Sequence, residues 1–462
     1  MNQTIIFSSS DDFSAGTREH LVVAPEIGRG ALQLEDGALE GSFTSEELPL
    51  TPFTSLIMSW NTDLPEGSHS EVFCRAKAED GTWSDWLSWG LWSPFIKRHS
   101  IEETDGGVAS EECDTLTMKK GLIGIAAQIR CVLRRQQADT AAPALRLLAV
   151  SVKRCLDDRM GDHMEKTYVN NPVPAYSQLI RDPNIGNVMC SPTTATVMMN
   201  GLGGDILPEE TAMACWDHVY EGFGNWAYTM AAAGSFGYEA WLTYGDVDTM
   251  RQELLRGYVV GCNVGYSNTK ERANENAPYV ENTPGYTGGH LMCVRGMEVI
   301  DGREYVLVND SYGCPDTQAL RRYPLDQFIY AWHGVLYIVR PKLKGAGYAA
   351  PYRFPAQLKK TEFGDEWRLV VNGEEVALDP HFNGSRKLCT GIVAYTMLDA
   401  YSYRTTANRP FSYSKVTVNG NLFLPAKALL TASPLRENAR MDVFVITNRG
   451  VTYTASLTPA DL

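Results

Sequence analysis

The chain has 462 residues, 44% of them hydrophobic and 21% charged, without low-complexity tracts. That is the make-up of a globular protein of about three domains. Its net charge of -14, with no basic stripe, argues against nucleic acid and against electrostatic docking on an anionic membrane. No apolar run approaches the roughly 20 residues that cross a bilayer. Residues 1–10 lack a basic n-region and a long apolar core, so the expected location is cytoplasmic, or extracellular if a leader has been removed.

Residues 1–158 read as a β-sandwich. Short strand-like runs at 55–60 and 71–77 are punctuated by Pro65-Glu66-Gly67 and Asp80-Gly81, and 147–152 looks like a closing strand. Trp83, Trp86, Trp89 and Trp92 recur every three residues. The large area of an indole suits them to a sandwich core; a glycan-stacking platform is the functional alternative.

Residues 159–342 carry the chemistry. Val173 to Gln178 is a short extended stretch ending in an amide that can donate to an oxyanion. Cys190 then stands at the mouth of a helix, with Ser191 as N-cap, Pro192 in the first turn, an apolar body over 195–199 and Gly201 at its end. Unpaired amides and the positive end of the helix dipole favour thiolate there. Helices follow over 211–220 and 226–233, and a third over 248–256, with Asp248 as N-cap and Gly257 as stop. Asp246 and Asp248 read as caps rather than metal ligands, and Gly201-Leu202-Gly203-Gly204 is too short for a phosphate loop. A strand opens at Tyr258. The polar, unperiodic stretch 267–287 is expected to overhang the cleft. His290 follows the pair Gly288-Gly289 at the start of an apolar strand, and Asn309-Asp310 ends another. Together these suggest a cysteine–histidine–carboxylate hydrolase. Trp332 and His333 read as packing.

Residues 342–351 form a linker by their glycines and proline, and beyond it Asn372-Gly373, Asn419-Gly420 and Asn448-Arg449-Gly450 are hairpin signals. The ten cysteines are scattered, with no Cys-x-x-Cys pair, so no zinc site is expected. Reserving Cys190 leaves an odd number, which fits mostly reduced thiols. Cys215, Cys262 and Cys293 lie in apolar segments and read as inert core.

The order Val-Pro-x-x-x-Gln, Cys-Ser-Pro-Thr, Gly224-Asn225-Trp226, Gly-His and strand-end Asn-Asp resembles the C39-like cysteine peptidases, a papain-type group, over roughly residues 165–342. The resemblance implies Cys190 as nucleophile, His290 as base, Asp310 as orienting carboxylate and Gln178 as oxyanion donor. It implies an α+β fold, with a papain-like cysteine peptidase domain at 159–342 flanked by an N-terminal β-sandwich at 1–158 and a small C-terminal β-rich domain at 343–462. The expected activity is hydrolysis of peptide or related amide bonds through a thioester, on a peptide or protein substrate, with no cofactor or metal. Departures are Met189 and Ser191 where the family often has glycine, and Ser311 where it commonly has proline; the last leaves Asn309 open as orienter. Acyl transfer to an amine by the same site is one alternative. A glycan- or partner-binding protein with a vestigial peptidase unit is another.

Overall fold

A computed structural model describes residues 3–347, apart from 66, 95–97, 156–158, 162–164, 181–185, 205 and 207, and beyond these only strand segments between 352 and 457. The protein is mostly β-sheet with few helices, and two sheets dominate it.

The N-terminal sheet is antiparallel throughout. Its main strands are β1 (Glu40–Ser45), β2 (Leu48–Asp63), β3 (Ser68–Ala78), β4 (Leu87–Trp92), β5 (Ala109–Glu112), β6 (Thr115–Met118), β7 (Gly124–Arg135) and β8 (Ala144–Arg154). In one layer β7 lies between β1 and β3, and β4 pairs with β3. In the other, β2 lies between β8 and β6, with β5 on the outside of β6. The 16-residue β2 also meets β7 through Leu48, Pro49 and Phe53, which joins the layers into one continuous sheet. Strand β3 alternates strictly, with Val72, Cys74, Ala76 and Ala78 inward, as a half-covered strand should. The second half of β2 is buried on both faces, because the sandwich core covers one side and a helix of the next segment covers the other.

Among the described residues that segment has five α-helices: α1 (Cys190–Gly201), α2 (Pro208–Cys215), α3 (Trp226–Ser235), α4 (Val247–Leu255) and α5 (Leu325–Ala331). They flank a second antiparallel sheet in the order β9 (Glu239–Tyr244), β14 (Trp332–Arg340), β10 (Val260–Ser267), β11 (Tyr286–Ile300), β12 (Arg303–Asn309) and β13 (Leu320–Pro324). One core runs unbroken from Phe43, Trp60 and Trp92, through Tyr228 and Met230, to Met198, Cys293 and Tyr337. A second core, with Met250, Met292, Phe328 and Trp332, lies among α4, α5 and the sheet.

Polar groups stitch the two sheets together. The outer edge of β9 would leave amides unpaired, and side chains of the sandwich cover them. Asn61 accepts from Ala240 N (2.9 Å) and donates to Ala240 O (2.8 Å); Ser59 Oγ accepts from Leu242 N and Ser151 Oγ from Tyr244 N. Arg146 and Asp63 form a buried ion pair at 2.8 Å, and the same guanidinium donates to the carbonyls of Gly234 and Tyr238.

Several local expectations need correction. The N-cap of α1 is Met189, and Ser191 lies inside the helix, its hydroxyl 2.8 Å from both Thr229 Oγ1 and Tyr337 Oη. Gly201 is still helical; the left-handed residue is Gly203, with φ +84°. The 211–220 helix starts earlier and stops at Cys215, because Asp217 turns the chain into a bridge with Gly222. Asp246, not Asp248, caps α4 by accepting from Thr249 N. Gly257 ends that helix with φ +89°, as expected. Beyond residue 347, antiparallel pairs flank the three hairpin signals, while Asn372-Gly373, Asn419-Gly420 and Asn448-Arg449 themselves, and most of the expected C-terminal domain, lie outside the described residues.

Candidate active site

Cys190 is the first residue of α1, half-buried on the floor of a cleft of about 790 Å³. Starting the helix at the cysteine leaves its first amides free of any side-chain cap, and the N–H groups of Ser191 and Leu291 point at the sulfur. His290 is buried in β11, opposite Val264 of β10. Its Nε2 donates to Asp310 Oδ1 at 2.9 Å, and the ring also hydrogen-bonds the Cys190 sulfur. Gly288 and Gly289 are exposed, and a Cβ on either would meet nothing within 4 Å. They leave open space beside the imidazole.

Asp310 is fully buried and takes four donors. Oδ1 accepts from His290 and from Tyr312 N (2.9 Å); Oδ2 accepts from Tyr266 Oη (2.9 Å) and Tyr323 Oη (2.7 Å). Asn309 points elsewhere, donating to Pro174 O at 3.1 Å. Of the two strand-end candidates, Asp310 is the one that touches the histidine.

Gln178 opens a 3-10 turn rather than ending an extended run. Its Oε1 accepts from Ser311 Oγ at 2.7 Å and its Nε2 donates to Gly186 O at 2.8 Å. Ser311 thus orients the amide, and one N–H of the pair remains beyond the bond to Gly186. Gln178 is buried and is not among the residues that line the cleft.

The electrostatics follow from these contacts. Burial pushes the Cys190 thiol up, but the hydrogen bond and charge of His290, with the N–H groups of Leu291 and Ser191, outweigh it and bring the thiol below its ordinary value. Burial opposes charge on His290 as well. The Asp310 carboxylate and the sulfur overcome it and lift the ring to about 10. Asp310 stays below the usual carboxylate range despite burial, held by His290, Tyr323 and the Tyr312 amide. Cys215, Cys262 and Cys293 are buried and burial pushes each thiol up. A thiolate–imidazolium pair oriented by a carboxylate is a nucleophile with its proton donor in place.

Sequence reasoning missed most of the cleft wall. The stretch 267–287 is not among the described residues that line the cleft; Trp216, residues 220–224 and Trp226 are, beside Cys113 and Asp114 from the turn between β5 and β6. Asp217 shapes that segment, its Oδ1 accepting from the amides of Ser100 (2.9 Å) and Val219 (3.0 Å) and its Oδ2 from Asn225 Nδ2 (2.9 Å). Asn225 caps α3 through Tyr228 N, and a Cβ on Gly224 would lie 2.4 Å from Tyr220 Oη. Those two contacts explain the Gly-Asn-Trp segment. His333 is exposed on the cleft rim rather than packed like the buried Trp332. Neither Tyr266 nor Tyr323 carried a local sequence signal.

The tryptophan series divides. Trp89 and Trp92 are fully buried, while Trp83 and Trp86 are half-buried with the Arg75 guanidinium 4.7 and 4.9 Å from their rings.

Fold and site together describe a thiol–imidazole–carboxylate centre in a cleft between a helix mouth and an antiparallel sheet. Residues 170–336 match the family model described as Peptidase_C39 like family, and residues 4–152 match Peptidase C39 N-terminal domain. The chain belongs to the C39-like peptidase family, which supports a peptidase or hydrolase in general. No curated protein matches. Similar solved structures include an infectious bursal disease virus Gt strain structure (12% identity, 32% of this chain and 31% of that one, TM-score 0.18). Others are a carbohydrate-binding module from the beta-sandwich super family (13%, 33% and 57%, TM-score 0.16) and the mannan-recognising module TmCBM27 (12%, 32% and 95%, TM-score 0.18). The chain spans about a third of the viral chain's length, and at these scores the likenesses carry no argument.

Proposed function

We propose that the protein is a cysteine peptidase whose catalytic unit, residues 159–342, is papain-like and α+β, preceded by a β-sandwich domain at 1–158 and followed by a C-terminal β domain at 343–462. The Cys190 thiolate attacks the carbonyl carbon of a peptide. The Cys190 N–H and the remaining Gln178 N–H hold the oxyanion, a pair of donors of the kind whose single loss costs about a hundredfold or more in rate. The imidazolium of His290 gives its proton to the leaving amine as the C–N bond breaks, which leaves a thioester on Cys190. His290, now neutral, takes a proton from water as the water attacks the thioester, and the acid product leaves with the thiolate restored. Asp310 holds the ring so that Nε2 carries the fixed proton and the other nitrogen serves the sulfur.

The observation that carries this reading is the unbroken chain from the Cys190 sulfur through His290 to Asp310 on an open cleft. Cleavage of a proteome-derived peptide library by the wild type but not by Cys190→Ala tests it. Iodoacetamide labelling no faster at Cys190 than at buried Cys262 would refute it.

A further inference from the structure

The cleft has one wall with an unusual charge balance. Among its described lining residues the carboxylates Asp114 and Glu221 stand beside Trp216, Tyr220, Phe223 and Trp226, and no lysine or arginine is present. Behind the wall lies Glu111, fully buried on β5, with neither carboxyl oxygen hydrogen-bonded among the described residues. Burial first, then repulsion from Asp114, Asp217 and Glu112, raises Glu111 to about 9; burial, with Asp217 adding to it, raises Asp114 to about 6. Arg98 is fully buried behind this wall, donating to Trp216 O at 3.3 Å with its charge interacting with Asp217, and it does not line the cleft. Rings beside carboxylates in a partly desolvated hollow suit an ammonium or guanidinium, which gains from both. A carboxylate there would be repelled by Asp114 and Glu221.

We propose that the wall built from Asp114, Glu221 and the neighbouring rings selects peptides that carry a lysine or arginine side chain beside the scissile bond. This rests on the peptidase reading of Cys190 and names its substrate class. The sandwich, through the turn that holds Asp114, then contributes directly to specificity.

A substrate-independent test uses two methanethiosulfonate reagents of similar size on the full chain, one bearing a trimethylammonium group and one a sulfonate. Mass spectrometry reads the rate at each cysteine. The cationic-to-anionic rate ratio at Cys190 is expected to exceed that at exposed Cys314 by about tenfold, and Glu221→Gln to lower it by about threefold, the scale of an exposed or half-exposed ion pair. Asp114→Asn keeps an oxygen acceptor for Trp226 N and is expected to lower the ratio further. Peptides that differ only in arginine or its neutral isostere citrulline should show the same order in kcat/KM. Fast labelling of Cys190 with the ratio seen at Cys314 overturns the charge preference and leaves the peptidase reading standing. Labelling no faster than Cys262 overturns both.

Discussion

Replacing Asp310 with asparagine isolates the charge that sustains the ion pair. His290 stands at about 10 against 6.5 for an unperturbed imidazole, a difference on the order of 5 kcal/mol in favour of the charged ring. Burial works against that rise and Asp310 leads the groups that produce it. Without the carboxylate the ring is expected to titrate below 6.5. A neutral ring no longer supports the thiolate, so Cys190 returns to the 9.0 of an ordinary thiol or above it. Such a thiol is about 1% ionised at neutral pH, so alkylation should slow by about a hundredfold relative to a fully formed pair. The fold should survive, because the hydroxyls of Tyr266 and Tyr323 can turn to accept from an amide where they now donate to a carboxylate. The assay is the pH dependence of iodoacetamide labelling at Cys190, with peptide turnover alongside. Wild-type labelling should rise below 9.0 and its turnover fall again near 10; the variant's labelling should rise at 9.0 or above. The stability sign is fixed too. A folded-state pKa above the unfolded value gives stability that is complete below 6.5 and lost as the pH climbs through about 10, and the variant should lose that slope. Superimposable labelling profiles in the two proteins would show that Asp310 does not sustain the pair.

Two further outcomes test the surroundings. Tyr323→Phe removes one of the two hydroxyl donors on Asp310 Oδ2; a hydrogen bond to a buried charge is worth about 1.5–3 kcal/mol. Asp310, whose contribution is present above 3.8 and lost as the pH falls through its lowered folded value, should then protonate at higher pH, read as acid unfolding that begins earlier than in the wild type. Arg146→Ala leaves Asp63 buried without its partner and takes a donor from the carbonyls of Gly234 and Tyr238. Urea unfolding should show a loss of about 3–5 kcal/mol, and a loss under about 1 kcal/mol would mean the pair is not a structural contact of weight.

Cys190, His290 and Asp310 were legible because each carries a local signal: a helix mouth, a glycine pair before a strand, a polar pair at a strand end. Strand pairing then brings the last two together, since β11 and β12 are neighbours and Cys293 lies opposite Asn309. Ser191 misled because a good capping residue was given the cap. In the fold Met189 takes that place, which lets the sulfur begin the helix, and the serine hydroxyl goes to Thr229 and Tyr337. The sandwich-core reading of the tryptophans holds for Trp89 and Trp92, and their period of three has a structural cause. Gly90, at φ +79° and with room for no side chain against His99 O, shifts the phase of β4, so Trp89 and Trp92 both face inward. Of the cleft wall only Gly224-Asn225-Trp226 left a local trace, because its other contacts join residues more than 100 positions apart, such as Trp226 N on Asp114 and Ser100 N on Asp217.

Those long-range contacts decide how the N-terminal half should be regarded. A module that merely carried a catalytic unit would meet it through a small, wet surface. Here Trp60 and Trp92 pack edge-on to Tyr228 of α3, at 5.9 and 5.2 Å between ring centroids, and that tyrosine donates to the carbonyl of Leu91. The amides on the outer edge of β9 find acceptors in Ser59, Asn61 and Ser151, and Asp114 holds the first turn of α3. Removing the sandwich would expose a sheet edge, strip the core from one side of α3 and take away a cleft wall in one step. Its strands therefore belong to the same cooperative unit as the thiol, and a change in its core, such as Trp60 or Trp92, should reach Cys190 through α3 and the Ser191–Thr229 contact rather than stop at the boundary near residue 158.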